Sequence, residues 1–190
     1  MKGHFVLVLF CIKRGGVVRQ QSGKLAASAV CIAFGIVFPI VFHMTGIGGS
    51  IFLPMHIPVM IAGLFLGMRW GLVVGGFTPV LSSLLTGMPP VLPILPIMAA
   101  ELAAYGCLGG FLYRDRHFSI WLALLGAMVA GRVAAVLVAF FMVSMFNLNL
   151  HPLVYITGAV VDGLPGIALQ IVLVPMIVNR LEKAFYRSYE

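Results

Sequence analysis

Charge is what this sequence has least of. Only 9% of its 190 residues are Asp, Glu, Lys or Arg, where a soluble domain carries about a quarter. Acidic side chains number just 5. That shortage excludes a solvated globular surface. Cysteine is scarce too: Cys11, Cys31 and Cys107 are odd in number, far apart and set among apolar neighbours, which suggests neither a disulfide framework nor a zinc site. Also missing are GxxxxGK[ST] for nucleotide phosphates, HExxH for zinc and GxSxG for a serine nucleophile. Ser82 and Ser83 have no His or Lys recognisably placed to activate them. The chain is expected to bind or carry, not to catalyse.

Apolar length is what it has instead. Hydrophobic residues fill 62% of the positions and the mean hydropathy is +1.12. Six stretches, at 25–43, 52–68, 70–87, 91–113, 118–146 and 153–179, are each suited to crossing a hydrocarbon layer about 30 Å thick. The expected fold is an all-α, polytopic membrane protein of six transmembrane helices. Residues 1–23 form an N-terminal extension at the membrane surface, 24–185 the membrane domain and 186–190 a tail. "HFVLVLFCIKRGG" has too short an apolar core, and no small-residue cleavage site, for a signal peptide.

Six crossings put both ends on one side, and the basic residues test that parse. Lys2, Lys13, Arg14, Arg19, Lys24, Arg69, Arg114, Arg116, Arg180, Lys183 and Arg187 all fall on the side shared by the termini. The opposite segments, 44–51, 88–90 and 147–152, hold no Lys or Arg. Cytoplasmic loops carry the positive excess, so both termini are expected in the cytoplasm of a cell whose plasma membrane holds the chain. The net charge of +7 then reflects topology and gives no ground for nucleic-acid binding.

Three charges lie inside the spans: Glu101, Arg132 and Asp162, each on a different helix. A charge at the bilayer centre costs roughly 2.5–3.5 kcal/mol even on mild scales, so such residues face a bundle interior and pair or line a polar cavity. Glu101 is expected to face Arg132. This trio reads either as a buried pair that fixes helix register or as the floor of a ligand cavity. His56, Asn147, Asn149, His151, Tyr155 and Thr157 collect at the outer level, which favours a cavity. Tyr105, Tyr155 and Phe52 are available to stack on a flat ring. The Pro-rich run 88–96 and the Gly-rich run 44–58 are candidate lids. Ala29 and Ala33, four apart in the first span with Leu25 and Val37 on the same face, allow close helix approach. Their partner is either another helix of the bundle or a separate subunit.

"FLPMHIPVMIAGLFLG" (52–67), with its Leu-Pro-x-His-x-Pro run, leads into "WGLVVGGFTPVLSSLLTG" (70–87) and on to Met-Pro-Pro. With six spans and Ala29-x-x-x-Ala33, this resembles the substrate-binding S-component of energy-coupling factor (ECF) transporters over residues 22 to 185. The resemblance implies a subunit of an ABC importer that captures a vitamin or related micronutrient from outside. It implies docking through Ala29 and Ala33 on a transmembrane T-component, with two ATP-binding subunits hydrolysing ATP. That division of labour fits the missing phosphate loop. Substrate-binding candidates are His56, Glu101, Tyr105, Arg132, Asn147, Asn149, Tyr155 and Asp162. No cofactor or metal is expected. The cargo stays open between a pyridine-type vitamin, pantothenate with its carboxylate opposite Arg132, and haem held by His43, Met55 or His56. The rival from another class is a stand-alone proton-coupled secondary transporter with Glu101 or Asp162 as proton site.

Overall fold

A computed structural model describes residues 17–44, 54–146 and 163–186, and all regular structure in them is helical. The helices are α1 (Val17–Met44), α2 (His56–Leu66), α3 (Met68–Thr86), α4 (Ile94–Gly110), α5 (Ile120–Phe146) and α6 (Leu164–Tyr186). A π-helical turn at Phe111–Asp115 extends α4. All except α2 are long and apolar enough to cross a membrane. The exception differs from the expected span at 52–68: α2 has 11 residues, roughly 16 Å at 1.5 Å per residue. Gly67 ends it sharply, at φ 96°, a region that a side chain makes costly.

In α2 the short length goes with near-complete burial. Val59, Met60, Ala62 and Leu64 are at most 1% exposed and centre the core, joined by Val74, Leu102, Leu124, Val174 and Val178 from the longer helices. The long helices keep one face outward, Leu122, Val129, Val133 and Leu137 on α5 among them, as lipid-facing helices do. α2 is thus a short plug surrounded by α1, α3, α4 and α6.

Close approach is what lets the plug fit. Lipid tails are as apolar as leucine, so membrane helices associate through tight van der Waals contact at small residues. Gly63 of α2, Gly71 and Gly75 of α3, and Gly106 of α4 lie backbone against backbone. A Cβ on Gly106 would fall on the Gly71 carbonyl, one on Gly71 on the Gly106 carbonyl, and one on Gly75 on the carbonyl of Leu102. Gly110 meets the Gly67–Met68 peptide in the same way. Further along α3, Gly35 of α1 admits the methyl of Thr78 at 2.5 Å from where its Cβ would be.

Side chains tie the two ends. Arg114 donates from Nη2 to the Phe65 carbonyl at 2.8 Å and from Nε to the carbonyls of Leu64 and Phe65, each at 3.2 Å. A cation here satisfies the orphan carbonyls of α2 and complements its dipole. Tyr113 donates to Glu182 of α6 at 2.9 Å. At the other end Gly87, at φ 73°, turns the chain out of α3. Ser82 donates to the Met88 carbonyl at 2.8 Å and Ser83 to the Pro89 carbonyl at 2.7 Å. The two serines that lacked an activating base thus serve as clamps on the Pro-rich turn.

Candidate functional site

Glu101 lies near the middle of α4, away from either helix end, and three side chains converge on its Oε1. Arg132 of α5 brings Nη1 to 2.8 Å. Tyr105, one turn further along α4, donates its hydroxyl at 3.0 Å. His56, the first residue of α2, places Nε2 at 3.7 Å, longer than a hydrogen bond. The His56 ring meets the Tyr105 ring edge to face, centroids 5.2 Å apart and planes at 67°.

Local sequence explains each placement. Spacing of four along α4 puts Glu101 and Tyr105 on one face, and Gly106, on that helix's contact with α2 and α3, draws α4 close enough for His56 to reach the carboxylate. Gly131 does the same from α5: a Cβ there would lie 2.7 Å from Cε1 of Tyr105, so a side chain at this position would displace the phenol ring.

The group is buried but not saturated. His56 is 2% exposed and Glu101 6%. Among the described residues, neither ring nitrogen of His56 has a hydrogen-bond partner, and neither has Nη2 of Arg132, although all three atoms are buried. Leaving a buried polar group unpaired costs about 1–3 kcal/mol, more for a charged one.

Beside it lies a cleft of about 320 Å³, open on the outward side of α5 where Val129 and Val133 are exposed, and lined by Tyr105 of α4, Met128, Val129, Arg132, Val133 and Val136 of α5, and Ile167 of α6. It exists because α6 packs mainly on α2 and only lightly on α5, leaving a cleft between those two helices. The volume is at the lower end of the range typical of small-molecule pockets, about 300–1,000 Å³.

Comparison with known proteins fixes the family. The family model of the ECF transporter, substrate-specific component, matches residues 23–178, 156 of the 190 positions. The chain is an ECF transporter S-component. No curated protein and no solved structure matches it. The match carries the helical bundle and the role of a substrate-specific membrane component, which is a binding subunit and not a catalytic one.

Of the site residues expected in this S-component from sequence, the structure brings together His56, Glu101, Tyr105 and Arg132. Asn147, Asn149, Tyr155 and Asp162 lie outside the described residues, as do Phe52, His151, Thr157 and most of the 44–58 lid. Ala29 and Ala33 are exposed, in one outward row with Leu25 and Val37, while Ser28 and Gly35 face inward. Sequence reasoning passed over the apolar walls, Met128, Val129, Val133, Val136 and Ile167. Their signal was available on α5, where 128, 129, 132, 133 and 136 share the helical face of Arg132.

Proposed function

We propose that this S-component captures a vitamin-like micronutrient from outside the cell in the cavity beside Arg132 and Glu101. It then delivers that cargo to the cytoplasm with a transmembrane T-component and two ATP-binding subunits. The observation that carries the site is a buried charged cluster with unpaired polar atoms, next to a cleft of about 320 Å³. Convergent polar groups in an otherwise apolar pocket are how small-molecule sites fix orientation. The basic residues described at helix ends, Arg69, Arg114, Arg116, Arg180 and Lys183, support an arrangement with both termini in the cytoplasm. The outward row of Ala29 and Ala33 is the surface for the T-component.

Haem fits this cavity less well than a compact vitamin. His56 and Met55 are core residues that do not line it, and adjacent positions on one chain cannot grip the two faces of a macrocycle.

Co-purification and uptake test the reading. The tagged chain, expressed with its native membrane partners, should bring down an ATPase-bearing complex. Uptake of the cargo, identified by mass spectrometry of molecules released from the purified protein, should stop on ATP depletion and survive a protonophore in ATP-replete vesicles. Uptake that survives ATP depletion and stops with the protonophore would instead establish a stand-alone proton-coupled carrier with Glu101 as its proton site.

A further inference from the structure

Outside the Glu101 cluster, the exposed charge of the described residues is gathered at one end of the bundle. The membrane-crossing stretches begin at Met68 and Ile120 and end at Asp115 and Lys183, so Arg69, Arg114, Arg116 and Lys183 stand where hydrocarbon gives way to headgroups. The Gly67–Met68 peptide packs on Gly110, one turn before Arg114, and this brings Arg69 to the end of α4. Tyr113 holds Glu182, which brings Arg180 and Lys183 of α6 to the same end. The carboxylates there are Asp115 and Glu182, and Glu182 already accepts from Tyr113. At the opposite end, residues 44, 54–55, 86–93, 145–146 and 163–164 include no Lys, Arg, Asp or Glu.

We infer that this end is a docking surface for anionic phospholipid headgroups, with phosphate seated on the free guanidinium groups of Arg69 and Arg116. Among the described residues, no hydrogen bond or ion pair engages the side chain of Arg69, Arg116, Arg180 or Lys183, and all four are exposed. The Arg116 guanidinium lies over the Phe111 ring, 5.2 Å from its centroid. Stacking of this kind fixes the plane of the group and leaves its N–H edge free for the two-pronged contact that phosphate favours. Arg114 spends donors on the carbonyls of Leu64 and Phe65 and adds its charge to the field. Aromatic rings supply the second half of the match. Trp70, Tyr113, Phe118 and Trp121 lie at this end, Phe118 and Trp121 exposed, and Trp and Tyr settle at the level of the headgroups. A phospholipid offers both partners at once, phosphate for the cations and acyl chains for the rings. Anionic lipids are concentrated in the cytoplasmic leaflet, the one proposed above to lie nearest both termini.

Both tryptophans of the chain, Trp70 and Trp121, lie at this end, so their fluorescence reports on it directly. The full chain is reconstituted into phosphatidylcholine vesicles that contain rising fractions of phosphatidylglycerol with brominated acyl chains, or of brominated phosphatidylcholine as the neutral reference. Quenching should set in at lower fractions of phosphatidylglycerol, a preference of roughly five-fold for each basic side chain engaged. Raising salt from about 0.01 M to about 1 M shortens the Debye length from about 30 Å to about 3 Å and should shrink that preference in the unaltered chain. Arg69→Gln with Arg116→Gln should lower it several-fold, while Arg69→Lys with Arg116→Lys, which keeps both charges, should retain most of it. If the Gln variant fails to reconstitute, the salt series on the unaltered chain decides alone. Equal quenching by the two lipids would overturn the inference, as would a preference indifferent to salt and to the Gln variant. So would a chain that shows no lipid preference but loses its partner subunits in the Gln variant, because the cations would then serve an acidic protein surface.

Discussion

Arg132 of α5 holds Oε1 of Glu101 at 2.8 Å with one guanidinium nitrogen and leaves the other buried without a partner among the described residues. The pair is thus closed through one arm, while the other arm stays enclosed by the protein. Removing one charge strands its partner in a medium of low dielectric, which costs about 3–5 kcal/mol, whereas replacing both by neutral groups is far milder. Arg132→Ala should therefore lower thermal stability in detergent by that amount or prevent accumulation of folded protein. The double change Glu101→Gln with Arg132→Gln should recover most of the stability and none of the cargo binding. A double variant that binds cargo with full affinity would reduce the pair to a packing device.

The glycine contacts predict a steep contrast between neighbours on one helix. Gly75→Ala drives a methyl into the Leu102 carbonyl, while an added Cβ at Gly76 meets nothing within 4 Å. Overpacking against backbone costs roughly 1–3 kcal/mol and occasionally more, so Gly75→Ala should unfold at markedly lower temperature. Gly76→Ala should be neutral or gain up to about 1 kcal/mol from helix propensity. Equal melting temperatures for the two variants would show that α3 and α4 do not meet at this register.

Much of this arrangement was legible before any coordinates. Glu101 and Arg132 announce themselves because a charge inside an apolar run must find a partner, and there are few to choose from. His56 was singled out for its place at the outer level with other polar groups, and its contact with Glu101 could not be read, because sequence gives no measure of how closely two helices approach. That distance is set by Gly63, Gly71, Gly75 and Gly106, whose meaning lies in which backbone each one faces. The length of α2 was harder to read. Hydropathy over 52–68 marks an apolar stretch, yet it does not tell that the helix has 11 residues and is buried on almost every side. The apolar cavity walls gave the weakest signal, since Val129 and Val133 would suit lipid as well as cargo.

Ser82 and Ser83 predict where the Pro-rich turn is anchored. Each hydroxyl holds a carbonyl of the Met88–Pro89 segment, so Ser82→Ala with Ser83→Ala should release that turn from the end of α3. Local opening is read by amide exchange. Exchange at Met88, Val91 and Leu92 should rise at least several-fold in the double variant, with the interior of α3 unchanged. If the 88–96 run also covers the cavity, saturating cargo should slow exchange there in the native protein. Indifference of these amides to both the mutations and the cargo would leave the turn a plain connection.

The last prediction separates binding from delivery and rests on α1. Ala29 and Ala33 stand in an exposed row with Leu25 at 59% and Val37 at 49% exposure, and the helix meets its own bundle through the opposite side, where Gly35 accepts Thr78. Large side chains on the exposed row have room in the isolated protein, so Ala29→Trp and Ala33→Trp should express, fold and bind cargo with near-native affinity. In a complex, the same indole would hold a partner helix away from a face that small residues otherwise open to close contact. Uptake by vesicles carrying the partner subunits should then fail. Gly35→Trp supplies the internal control: it collides with Thr78 and should lose folding and binding together. Normal uptake with Trp at both positions 29 and 33 would remove this row as the docking surface, because no close helix contact tolerates two added indoles.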